Sequence, residues 1–199
     1  MAPSEPPADD RSAGEAADHV GYHSTADRFG AVVDAVTDWD APTPVAGWRA
    51  RDVVDHLTTW LPGLLGSCGV PMPLGDIGDP VGSWHRQDTA VRGLLASRGD
   101  DVVTHVHLGT MPLGQVIAQV YVGDVFMHTW DLARAAGVDD RLDAERCAAM
   151  VAGMSAMEAA MRGSGHYGPA WPLPADDTDP QRRLLAFIGR DPDWRPPSS

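Results

Sequence analysis

The chain has 199 residues, enough for one domain with a real core, and 43% of them are hydrophobic. Fifteen basic residues, all Arg, stand against 28 acidic ones, a formal net charge of −13. So acidic a surface repels phosphate backbones and anionic lipid, which argues against nucleic-acid and membrane partners.

The first 20 residues are small, acidic and Pro-containing. They show neither an apolar run nor a cleavage pattern and read as a disordered tail, not a signal peptide. Ala26, Phe29, Val32, Val33 and Val36 recur at helical spacing and predict a helix over 23–40, with Ser24 or Thr25 as cap. Two prolines and a glycine make 41–48 a loop. A second helix over 50–65 carries Val53, Leu57, Trp60, Leu61 and Leu64 on its apolar face. Pro62 should kink or end it, because proline has no N–H and crowds the preceding turn. The Gly- and Pro-rich stretch 66–80 is a long loop of the kind that often borders a site. Asp79 and Pro80 open a third helix that runs to about residue 99. Val102, Thr104, Val106 and Leu108 alternate with Val103, His105 and His107, which predicts a short extended segment or one arm of a hairpin. A fourth helix runs from about Pro112 to Ala136, closed by Gly137, and a fifth from Asp143 to Arg162. A short helix over 179–190 precedes a Pro-rich tail, 193–199. The expected architecture is therefore all-α, four or five helices over residues 21–192 with minor extended segments. No apolar run is long enough for a transmembrane helix. Cys68 and Cys147 form no CxxC arrangement, which points to free thiols in a reducing cytoplasm.

The apolar stripe of the fourth helix includes Leu113, Ile117, Val120, Tyr121, Val125 and Leu132, and the same steps of three and four pass through Asp124, His128 and Asp131. Asp124 and His128, at i and i+4, stack on one face and could both reach one metal ion. His56, at the margin of the second helix's buried face, could supply the third ligand. Three protein ligands leave a coordination position open, as catalytic sites do. Spacing alone equally allows Asp124 and His128 to be a hydrogen-bonded pair within the core. Asp131 has two readings: it holds a ligand His by the other ring nitrogen, or it pairs with Arg134 or Arg49 at the surface. His105 and His107 share one side of the extended segment, where solvated imidazoles are the better reading. Trp84 and His85 line a pocket, or else they are a core Trp and a surface His.

GWRARDVVDHLTTW (47–60) and GDVFMHTWDLARAAG (123–137) resemble the DinB-like, mycothiol-dependent maleylpyruvate isomerase-like metal-binding superfamily. The nearer likeness is to an actinobacterial branch labelled only as metal-binding protein, whose end DPQRRLLAFIGRDP (179–192) resembles. The resemblance spans roughly 22–192. It implies a DinB-like four-helix bundle with an additional C-terminal helix, and a divalent metal, zinc or nickel, held between helices by a triad. Carried over, His56 matches the His of the second helix, and Asp124 and His128 match the acidic-or-His/His pair of the later helix. The isomerase has Glu where this chain has Asp124, a shorter carboxylate that shifts the metal or loosens its hold. The region after residue 140 also looks shorter than the isomerase's second domain, so the isomerase substrate is not carried over. What the resemblance implies is a metal-dependent enzyme acting on a small-molecule substrate, by mycothiol transfer or thiol-assisted isomerisation. The alternatives are a non-catalytic metal- or small-ligand-binding protein and a metal-dependent hydrolase. Trp60, Trp84 and Tyr121 are candidates to line the pocket, and homodimerisation is an expectation from the resemblance alone.

Overall fold

The computed structural model describes residues 11–163 and 168–197, so the first ten residues of the tail expected over 1–20 lie outside the described residues. Helix α1 (Arg11–Ala35) reaches back into the rest of that stretch. From Arg11 to Ala41 no proline interrupts the chain, and Ala13, Glu15, Ala16 and Ala17 are strong helix formers. The helix ends earlier than expected, before a turn in which Asp38 Oδ1 accepts the Asp40 N–H at 2.9 Å. Such a local bond competes with the helical ladder.

Pro62 does not end α2 (Ala50–Ser67). The helical bond it cannot make leaves the Thr58 carbonyl without its i+4 donor, and Gly75 from the following loop donates its N–H there instead, at 3.1 Å. Only glycine fits at that approach, since a Cβ on residue 75 would lie 2.1 Å from Thr58 Oγ1. The neighbouring Leu57 carbonyl accepts the Tyr121 hydroxyl at 3.2 Å. The 66–80 loop is thereby pinned to α2.

Helix α3 (Pro80–Arg98) starts at an Asp79 cap that accepts the Gly82 N–H, as expected. The extended segment is a complete antiparallel hairpin, β1 (Val102–His105) with β2 (Gly109–Pro112), in the register Val103↔Met111 and His105↔Gly109. The single fourth helix is two, α4 (Leu113–Val120) and α5 (Val122–Ala136). The bonds Tyr121 N–H to Ile117 O and Val125 N–H to Tyr121 O, both 2.9 Å, bridge the break. The fifth is likewise divided into α6 (Ala144–Ser155) and α7 (Glu158–Gly163), and α8 (Pro180–Phe187) follows.

Helix α1 packs on α3 and α5, and α2 packs on the same two, closing a ring around a core that includes Phe29, Leu57, Leu61, Trp84, Ile117 and Leu132. A second core, with Met127, Trp130, Cys147, Leu184 and Leu185, lies where α6 and α8 pack together against α5. Helix α5 is therefore covered on two sides, and Val125 through Ala133 are all buried. His128, Thr129 and Asp131 are buried with the apolar residues of that run. The C-terminal stretch expected as a free tail is tied down near its start. Asp193 accepts two hydrogen bonds from Arg182, at 2.7 and 2.9 Å, and Trp194 packs on the second core. The fold is all-α apart from the hairpin. No helix among the described residues is long and apolar enough to cross a membrane. Both cysteines are free thiols, Cys147 buried and Cys68 half-buried.

Candidate metal centre

His56 and Trp60 stand one turn apart on α2, and Asp124 and His128 one turn apart on α5. Packing of α2 on α5 brings the two pairs face to face. His56 Nε2 lies 3.0 Å from Asp124 Oδ2, and His128 Nε2 lies 3.6 Å from Asp124 Oδ1. One ligand atom from each of the three residues falls within 4.8 Å of the other two. Side-chain exposure falls from 33% at His56 through 20% at Asp124 to 8% at His128, so the trio opens to solvent on the α2 side.

Aromatic rings wall the trio. Trp48, from the loop ahead of α2, stacks on the His128 ring at 5.6 Å and 14°, and its centroid lies 5.2 Å from that of His56. That loop is held by bonds from Thr43 N–H to Trp48 O and from Ala50 N–H to Ala41 O, at 3.0 and 2.9 Å. Trp60 donates its indole N–H to Asp124 Oδ2 at 2.9 Å and meets Tyr121 edge-on behind it. Trp84 lies elsewhere, buried edge-on against Phe29 at 4.4 Å in the packing of α3 on α1.

Asp131 combines its two expected roles, with a different partner. It is fully buried, and its Oδ2 accepts the His128 Nδ1 proton at 2.9 Å. Its arginine is neither Arg134, which pairs with Asp140, nor Arg49, which donates to the Asp40 carbonyl. It is Arg190, which donates from Nε to Oδ1 at 2.9 Å and from its terminal nitrogen to Oδ2 at 3.2 Å. Arg190 follows a Schellman turn at the end of α8. Its own N–H reaches Leu185 O, the Gly189 N–H reaches Ala186 O, and Gly189 sits at φ +82°.

These contacts fix the chemistry of the donor set. With Nδ1 of His128 donating to Asp131, the Nε2 lone pair faces Asp124 and the trio. Two imidazole nitrogens and a carboxylate oxygen are ligands that zinc and similar first-row divalent ions accept, so the residues present fit a metal. Burial would raise the Asp124 carboxyl pKa, yet the His56 hydrogen bond, the His128 and His56 charges and the Trp60 N–H hold it below the usual carboxylate range. Asp131 is also held low: the His128 bond and the Arg190 charge outweigh its burial. Burial would lower the His128 pKa, but the bond to Asp131 and the charges of Asp124 and Asp131 raise it.

The His128 shift has a definite sign in stability. In metal-free protein its contribution is fully present below about pH 6.5, the unfolded value, and is lost as pH rises through the higher folded value. With chelator present, the melting temperature should therefore decline above about pH 6.5. His128→Gln should flatten that decline. A decline of equal slope in the variant would assign it to another group.

Among the described residues, His85, His105 and His107 stay outside this arrangement. His85 Nε2 meets Asp34 Oδ1 at 2.8 Å on an exposed helix surface. His105 and His107 sit edge-on, 5.7 Å apart, on the hairpin. Sequence reasoning passes over Trp48 and Arg190. Trp48 stands inside the 47–60 stretch that carries the resemblance, a usable signal. Arg190, an arginine just past a helix-closing glycine, stands likewise inside the 179–192 stretch that resembles the end of the branch.

Comparison with known proteins agrees with the resemblance read from the sequence. Residues 22–68 match the family described as the mycothiol maleylpyruvate isomerase N-terminal domain, a span that includes Trp48, His56 and Trp60 and stops short of Asp124. Two uncharacterized proteins of Mycobacterium tuberculosis, from strains CDC 1551 / Oshkosh and ATCC 25618 / H37Rv, are each 29% identical over 159 residues, covering 75% of this chain and 83% of theirs. No solved structure matches the chain.

Proposed function

We propose that this chain is a metal-dependent enzyme for a small-molecule substrate, with His56, Asp124 and His128 as ligands of a divalent cation and a thiol of the mycothiol type as co-substrate. The reading rests on one observation above others: two imidazole nitrogens and a carboxylate oxygen from two helices converge within 4.8 Å. The family match over residues 22–68, which contains His56, supports the thiol. When bound, a divalent cation at these atoms would supply a Lewis acid that lowers the pKa of a thiol or a water. The reaction class that follows is thiol transfer or thiol-assisted isomerisation.

The protein's own residues do the rest. Asp131 holds His128 in the tautomer that presents Nε2. The Trp60 N–H anchors Asp124 Oδ2 and leaves Oδ1 turned toward His128. Trp48, stacked on His128, covers that ring, while His56 is the most exposed member of the trio. With both imidazoles neutral the trio carries one negative charge, which does not cancel a divalent cation and so leaves the site receptive to an anion such as a thiolate.

Metal analysis of the purified protein, with His56→Ala and His128→Ala alongside, tests the site. About one equivalent of divalent metal is expected in the parent protein and a large loss in both variants. Full occupancy in both variants would remove the triad. Turnover of electrophiles with and without thiol then tests the reaction. Metal-dependent turnover that ignores the thiol would make the protein a hydrolase, and absence of any turnover would make it a binding protein.

A further inference from the structure

On the face of α5 turned away from Asp124 and His128, a half-open pocket of about 440 Å³ lies between α1, α5 and the start of α6. Its walls carry Arg28, Arg141 and Arg146, together with the Thr25 hydroxyl, the Phe126 ring and Leu142. Three guanidinium groups around one cavity are a local reversal of charge in a chain of net charge −13.

The arginines are short of counter-charge. Arg146 is half-buried, with its guanidinium 4.4 Å over the Phe126 ring. It donates to two neutral acceptors, Thr25 Oγ1 at 2.6 Å and Val122 O at 3.2 Å, and among the described residues it makes no ion pair. Asp143, also on the wall, uses Oδ1 to cap α6 by accepting the Arg146 backbone N–H at 2.7 Å. Arg28 and Arg141 share a single carboxylate, Asp139, at 3.4 and 3.0 Å. Arg146 feels the charge of Asp143 without pairing to it among the described residues, and a partly desolvated cation left so is relieved by an oxyanion that accepts its free N–H groups. The cavity has the volume of a small-molecule site, with an apolar wall beside its cationic groups.

We propose that this cavity binds a small organic anion, its carboxylate or phosphate head held by Arg28, Arg141 and Arg146 and its apolar body laid against Phe126 and Leu142. The guanidinium forks match both head groups, and Phe126 and Leu142 offer a surface that a bare inorganic ion would not use. This site is separate from the proposed metal centre and does not depend on it.

Calorimetric titration of His56→Ala protein tests the proposal, because the proposed cation site is disabled there and cannot account for anion binding. Benzoate and phenyl phosphate serve as anionic probes and benzyl alcohol as the neutral one. The expected result is one-to-one binding of at least one anionic probe, and none of benzyl alcohol over the same range. The preferred anion identifies the head group. Arg28→Gln with Arg141→Gln, at solvent-accessible positions, should weaken that binding by at least about tenfold while leaving the melting temperature nearly unchanged. No saturable binding by either anion, equal binding of benzyl alcohol, or unchanged affinity in the double variant would overturn the proposal.

Discussion

Arg190→Ala is expected to destabilise the protein by about 3–5 kcal/mol, the usual cost of leaving a buried charge without its partner. Asp131 is fully buried and ionised, and Arg190 supplies both its full positive charge and two of its hydrogen bonds. Without them the carboxylate keeps only the His128 bond, so it either takes up a proton or draws water into the core. Each response loosens its hold on the His128 ring. In the protein that still folds, metal affinity should fall by about 10- to 100-fold, the scale found when a group behind a ligand is removed. Arg190→Lys should lie between, because an ammonium restores charge but not the two-pronged bond. Denaturant unfolding gives the first quantity and competition with a chromogenic chelator the second. Parental stability in Arg190→Ala would mean that the pair contributes nothing, and parental metal affinity would separate Asp131 from the proposed metal ligand it touches.

Trp84→Ala should cost a comparable amount, about 3–5 kcal/mol, for a different reason. Trp84 has no exposed surface, fills the packing of α3 on α1, and meets Phe29 edge-on. Its loss leaves a cavity that the surrounding helices cannot close. Metal affinity of the folded fraction should stay within about twofold of the parent, because Trp84 packs away from the trio and shares no partner with it among the described residues. A marked fall in affinity with little loss of stability would return Trp84 to the wall of the site. The Arg190 and Trp84 variants thus share a stability cost and differ in metal affinity, which separates support of the ligands from support of the core.

The helices are largely legible in the amino-acid sequence, because their signals are local. Apolar spacing marks α2 and α3, Asp79 and Pro80 mark the start of α3, and Gly137 marks the end of α5. Two local signals mislead for physical reasons. Pro62 should kink or end α2, but the loop residue Gly75 replaces the lost donor at Thr58. Residues 11–20 read as tail because they are polar, yet composition does not forbid a helix where proline is absent. The site is legible in part. The i, i+4 spacing of Asp124 and His128 puts both on one face of α5, and His56 stands beside the apolar face of α2. Whether those faces meet is not written in either spacing.

The sequence by itself determined the helical periodicity, the all-α class, the free thiols and the identity of the three ligand-type residues. These follow from interactions between residues a few positions apart, which a helix fixes by its pitch. The tertiary structure alone decided which candidates meet. It brought His56 within 3.0 Å of Asp124 across 68 positions of chain, placed Trp48 over His128, sent Trp84 into the core, and chose Arg190, 59 positions away, as the partner of Asp131. Contacts at that range are selected by the packing of whole helices and by the burial of charge, and no local pattern encodes them.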